Sequence, residues 1–294
     1  MTADNAKWFK VAFQVRGSVV PAVFPRVLLC SGLGFLISLS QYLGYSLPED
    51  IFADVTNNVA YNLVLGLLLV FRTNTANDRY WEGRKSWGGM IVNILNLGRK
   101  IRSSVAETEA VDTQNKAAAL RLLAAFAVAT KLHLRDNGVN SELEPLLNQS
   151  QYLELKEAKN KPLKIAVWIG DYLKQQQISD RLRMDELISM NTSVDNMVEA
   201  MIACDRILKT PMPIAYAIYL KRLLLIYCFV LPLQLVHDLG WWTTVIVALI
   251  SFILLGIEEI GNQIEDPFGG DSNDLPLDDL CTTTVKNLEE LGVR

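Results

Sequence analysis

Residues 69–88, LVFRTNTANDRYWEGRKSWG, set an apolar run directly against a dense polar cluster. Arg72 and Arg79 are cations able to raise the local concentration of anions, unless Asp78, Glu82 or lipid phosphate neutralises them. Just upstream, Leu63, Leu67 and Phe71 recur every four residues, so a helix would carry them on one slowly drifting stripe. Asn58, Asn62 and Gly66 occupy the neighbouring stripe. Two readings fit this pattern. One is a packed core stripe. The other is the wall of a water path, polar above, apolar in the middle and charged below, because rings of bulky apolar side chains can gate ions by dewetting. A single copy of so short a helix encloses nothing, so the second reading requires a symmetric oligomer.

Other chemistries find little support. His133 and His237 are the only histidines, and neither has a neighbour at metal-ligand spacing. There is no phosphate-binding GxxxxGK[ST] loop and no Ser-His-Asp set, and Asp278-Asp279 and Glu289-Glu290 fall in a polar tail where they are expected to be solvated. Cys30, Cys204, Cys228 and Cys281 are widely separated and read as reduced, structural thiols. The chain is not expected to be an enzyme, and a net charge of −4 gives no case for nucleic acid.

Half of the 294 residues are hydrophobic and 20% are charged, which suits some helices in lipid and a polar remainder. Val27–Tyr45 is 19 residues without a charge and Trp241–Ile257 is 17, the latter opening on an interfacial Trp pair. Two further segments are imperfect. Val59–Phe71 is short unless Asp54–Asn58 extends it, and Ile214–Val236 carries Lys221, Arg222 and Pro232. A charge at the bilayer centre costs about 2.5–3.5 kcal/mol on insertion scales, so such segments should face protein or water. Four spans are therefore expected, at about 27–45, 54–72, 214–236 and 240–257.

The connections Ser46–Asp54 and His237–Gly240 lack Lys and Arg, whereas Lys7, Lys10, Arg16, Arg26, Arg72, Arg79, Arg84 and Lys85 flank the other side. The positive-inside rule then places both termini and residues 73–210 in the cytoplasm. Those residues read as a helical bundle, with helices at Trp87–Val105, Asn115–Arg135, Leu163–Gln177 and Arg183–Lys209. Ala117–Leu134 is apolar enough to suggest a fifth span, but Arg121 and Lys131 favour a buried bundle helix. With no repeat or linker, residues 1–294 are expected to form one all-α unit with a tail at 258–294. The N-terminus lacks a secretory signal core and is short for a transit peptide, which favours a prokaryotic inner or thylakoid membrane.

Four motifs in order give the chain a likeness. Arg16-Gly17-Ser18-Val19, Phe71-Arg72-Thr73-Asn74, Arg79-Tyr80-Trp81-Glu82-Gly83-Arg84 with Trp87-Gly88, and Glu258-Glu259-Ile260 followed by Glu265-Asp266-Pro267-Phe268-Gly269 resemble the bestrophin family over nearly the whole chain, its compact prokaryotic and plant-type members above all. The resemblance implies a homopentameric channel for chloride-type anions with one axial pore. By position its neck falls on Leu63, Leu67 and Phe71, and a second, cytoplasmic constriction falls on Met184, Leu187 or Ile188. Thr210-Pro211-Met212-Pro213 opens the third span, and helix starts of this kind near the pore interact with anions in the family, which makes Pro213 a candidate beside Arg72 and Arg79. Tyr80, Trp81 and Trp87 are expected to pack the pore helix against its neighbours.

The chain departs from the family's animal members after Pro-Phe-Gly. Gly270-Asp271-Ser272-Asn273-Asp274 offers two carboxylates where calcium wants about six to eight oxygens, so no calcium clasp and no cofactor are expected. The expected partners are further copies of the chain, the bilayer and monovalent ions. Two rivals stand beside the anion channel: a sodium-type cation channel of the same fold, and a membrane scaffold that docks a partner through its cytoplasmic bundle.

Overall fold

A computed structural model describes residues 3–45 and 59–292. Among them every regular element is helical: α1 Ala3–Ala12, α2 Val20–Tyr42, α3 Val59–Ser104, α4 Ala110–Leu134, α5 Gln149–Glu157, α6 Lys161–Ile178, α7 Met184–Lys209, α8 Ile214–Leu239, α9 Trp242–Glu265 and α10 Leu277–Gly292. The expected start of the second span at residues 54–58, Asn58 and the Ser46–Asp54 connection lie outside the described residues. The chain divides into two compact units, one of residues 1–79 with 211–266, the other of residues 80–210 with 267–294.

The expected break between a span ending near Phe71 and a separate helix at Trp87–Val105 does not occur. α3 runs unbroken for 46 residues. Its continuity follows from one stripe of inward residues: Leu65, Leu69, Arg72, Ala76, Gly83, Trp87, Met90, Ile94, Leu97 and Ile101 are all buried. These recur at steps of three and four, with one step of seven between Ala76 and Gly83, the spacing that keeps one helix face inward. The polar cluster after Phe71 changes only the composition of the exposed faces.

In the first unit, α9 packs on α2 and α8. Small residues lie at this contact. A side chain at Gly34 would meet the Thr244 Cα at 3.5 Å, and the Ser38 hydroxyl donates to the carbonyl oxygens of Gly34 and Gly240. α2 starts seven residues before the expected Val27, with a proline in its first turn, where the missing N–H removes no helix bond. α8 passes through Pro232 without a break and extends three residues past Val236. Leu28, Leu29, Leu36, Leu249 and Ile253 stay exposed, as an apolar solvent would allow. The first part of α3 docks on α8 through Leu65, Leu69, Leu220 and Leu224, and Tyr216 Oη donates to the Leu68 carbonyl at 2.6 Å.

The second unit buries an apolar helix on nearly all sides. α4 is packed by α6, α7 and α10, with Leu123, Ala125, Phe126, Ala127 and Ala129 fully inside. Its start is fixed by a capping box between Glu109 and Asp112. Lys131, also buried, is met by Glu142 at 2.5 Å and Asp278 at 2.8 Å. Asp278 is exposed, as its tail position suggested, but it is not idle. It bridges Lys131 and Arg135, which hold its carboxyl down at about 2. It opens α10, an amphipathic helix whose Leu277, Cys281, Thr284 and Leu288 pack inward. Glu289 and Glu290 are exposed as expected. Two sequence motifs meet here: a side chain at Gly83 would lie 2.8 Å from the Pro267 ring and 3.0 Å from Phe268, so only glycine lets the returning chain pack this closely.

Among the described residues, five helices have the length and composition to cross a membrane: α2, α3, α4, α8 and α9. Four of them keep at most a third of their apolar window covered, whereas α4 has 78% of its window covered.

Candidate functional site

Two residues along a helix are a little over half a turn. Leu63 and Leu67 therefore point away from Leu65 and Leu69, which face α8. Leu63, Leu67 and Phe71 are 60%, 45% and 59% exposed in the single chain, on the side of α3 opposite its packed stripe. The structure assigns these residues to the unpartnered face, and the core-stripe reading passes to Leu65 and Leu69 instead.

Arg72 lies on the packed side. It is 3% exposed, and its guanidinium donates to the Glu265 carboxylate at 3.1 Å and to the Asn262 side-chain oxygen. The other Glu265 oxygen accepts the backbone N–H of Met212 at 3.0 Å. The Glu265 carbonyl accepts from Arg79 Nε at 3.2 Å. Neither expected partner, Asp78 or Glu82, meets Arg72. Glu82 instead pairs with Arg206 at 2.6 Å. Gly261 lies beside it, where an added methyl would make ordinary contacts with Arg72 Cγ and Nε at 3.6 Å.

The same face of α9 gathers further charges. Arg26 on α2 reaches Glu259 at 3.2 Å and Glu258 at 3.6 Å, and Asn262 donates to Glu258 at 2.8 Å. Lys221 on α8 lies 3.8 Å from Glu258. Cations from α2, α3 and α8 thus converge on α9. Sequence reasoning quoted these acidic residues as motif letters and missed their role. The signal was there: Glu258, Asn262 and Glu265 stand at i, i+4 and i+7, one face of one helix.

Pro213 is the residue before α8. The Met212 amide, two residues before α8, has an anionic partner in Glu265. Of the constriction candidates, Met184 and Ile188 share an exposed stripe at the start of α7, while Leu187 packs against the core of the second unit. Just beyond Ile188, Lys100 Nζ donates to Ser189 and Ser193 at 3.0 Å and ties α7 to α3. Trp87 is fully buried and Tyr80 half-buried against that core, but Trp81 stays exposed with Arg84 stacked 4.9 Å from its ring centroid. His133 is neither free nor grouped with metal ligands; its Nε2 lies 3.0 Å from Asp205. The four cysteines are free, and burial pushes the Cys204 and Cys281 thiols up to about 12.

Long apolar helices with exposed flanks, joined by a polar network at one end, define an α-helical membrane protein. A family model described as "Bacterial/Fungal Bestrophin protein" matches residues 1–290. The chain belongs to the bestrophin family. It is 51% identical over 99% of its length, and 94% of the relative's, to a voltage-dependent anion channel-forming protein of Nostoc sp.. It is 47% identical over 97% of its length, and 91% of the relative's, to one of Synechocystis sp.. The crystal structure of a bacterial bestrophin homolog from Klebsiella pneumoniae superimposes with a TM-score of 0.81, at 25% identity, over 92% of this chain and 98% of that one.

Proposed function

We propose that this chain is one subunit of a homopentameric membrane channel that passes chloride-type anions through an axial pore, and that it has no catalytic activity. The observation that carries the reading is the division of α3 into a packed side, Leu65 and Leu69, and an exposed apolar side, Leu63, Leu67 and Phe71. An exposed apolar stripe on an element that is already docked calls for a second apolar or dewetted environment. Symmetry turns that stripe into a ring. The names of the relatives supply the class of ion.

In this reading α2, α8, α9 and the first part of α3 span the bilayer, α4 does not, and both termini lie in the cytoplasm of a prokaryote or on the corresponding side of a thylakoid. Met184 and Ile188 are the stronger candidates for the second constriction, because Leu187 is engaged in the core. Arg72, paired with Glu265, is a structural cation, and attraction of anions is left to Arg79 and to the start of α8 at Pro213. The loop after Pro267-Phe268-Gly269 works without calcium: Asp274 accepts the Asp271 amide at 2.7 Å and closes the turn on itself.

Flux through purified protein in vesicles tests the reading. Leu67→Ala is expected to raise anion flux several-fold, and a salt gradient is expected to give a reversal potential of the anion sign. A reversal potential of opposite sign points to the cation channel. Absence of flux in both proteins points to the scaffold.

A further inference from the structure

We infer that Glu265 is a positioning residue for the neck: it latches the neck-bearing helix to the start of α8, and so holds Leu63, Leu67 and Phe71 on their exposed side. The inference rests on the neck reading above.

One carboxylate serves two elements. Its first oxygen accepts the Met212 amide and its second accepts Arg72, while the carbonyl of the same residue accepts Arg79. Arg72 and Arg79 are two turns apart on α3, so the end of α9 grips that helix at two heights. Arg72 directly follows Phe71, the last neck residue, and rotation of α3 about its axis would drag the guanidinium away from Glu265 and Asn262. That rotation is resisted strongly, because Arg72 is nearly without solvent exposure and a buried charge that loses its partner finds no water to replace it. Asn262, which accepts from Arg72 and donates to Glu258, extends the latch toward Arg26 and Lys221. The angular setting of the apolar ring is therefore held by polar groups on the far side of its own helix.

The test places Glu265→Gln in full-length protein in the wild-type and the Leu67→Ala backgrounds, both in vesicles. The variant is expected to raise flux about fivefold in the wild type, the size of an ordinary coupling between sites, and by less than about twofold in Leu67→Ala, where the barrier is already lowered. An equal factor in both backgrounds, as a general loss of folded protein gives, overturns the inference. The neck reading falls separately, if Leu67→Ala alone leaves flux at the wild-type level. The latch is then judged by the rate at which a membrane-impermeant thiol reagent modifies Leu63→Cys. A change of about fivefold on adding Glu265→Gln supports it, and an unchanged rate overturns it. If Glu265→Gln does not assemble, the charge-free pair Arg72→Met with Glu265→Leu takes its place in the same comparisons, since apolar replacement of both partners is commonly tolerated.

Discussion

α2 and α4 are close in length and hydropathy, yet their surroundings differ entirely. α2 has a mean window hydropathy of 1.8 with 22% of the window covered, and α4 has 1.5 with 78% covered. Apolar content alone does not assign a helix to lipid or to a protein interior. The charges decide. The charge in α2 is Arg26, near its start, answered by Glu258 and Glu259. α4 carries Lys131 in its last turn, buried, and the chain supplies Glu142 and Asp278 to meet it. For Lys131, burial alone would lower the ammonium's pKa; hydrogen bonds to Asp278 and Glu142 outweigh it and leave it raised.

Truncation separates the two environments most sharply. Phe126→Ala in the middle of α4 is expected to cost about 3–5 kcal/mol, since the side chain is wholly enclosed. The readout is dye labelling of Cys204 and Cys281, both buried in the second unit and unreactive while it stays closed. If Phe126→Ala leaves their labelling at the wild-type rate during heating, α4 is not the core of that unit. Leu29→Ala on α2, where the side chain is 71% exposed, is expected to change the same measurement by less than about 0.5 kcal/mol.

A smaller effect is expected at Gly83→Ala. The added methyl would lie 2.8 Å from the Pro267 ring, and overpacking of this kind costs about 1–3 kcal/mol, partly offset by the better helix propensity of alanine. Earlier heat-driven labelling of Cys281 would show it, and a stabilised variant would mean that the returning segment yields freely.

Asp278→Asn should give the smallest change that is still measurable, under about 1 kcal/mol, because the carboxylate is largely exposed. Its sign follows from the depressed pKa. The ionised group contributes fully above its unfolded value of about 3.9, and the contribution is lost as pH falls through about 2. Wild type and Asp278→Asn should therefore differ in melting temperature at pH 6 and converge toward pH 2. A gap that is constant with pH would assign the effect to packing.

Much of this was legible in the residues. The spacing of Leu63, Leu67 and Phe71 gave one helix face, and Arg121 with Lys131 argued correctly for a protein-buried α4. The unbroken length of α3 was hidden because polar composition after Phe71 was read as a boundary, although the inward stripe continues past it at the same spacing. The tail was misread in the same way: Asp278-Asp279 drew attention to charge, while Leu277, Cys281, Thr284 and Leu288 step by four, three and four. The partner of Arg72 was not legible. Glu265 lies 193 positions away, and nothing local distinguishes it from Asp78 or Glu82.

α3 rises about 1.5 Å per residue, so its 46 residues measure about 69 Å, more than twice a hydrocarbon layer of about 30 Å. A helix of that length set in a bilayer outruns the oil, and its remainder needs water or protein around it. Where such a helix passes from one solvent to the other, side chains and not a turn in the backbone have to mark the crossing.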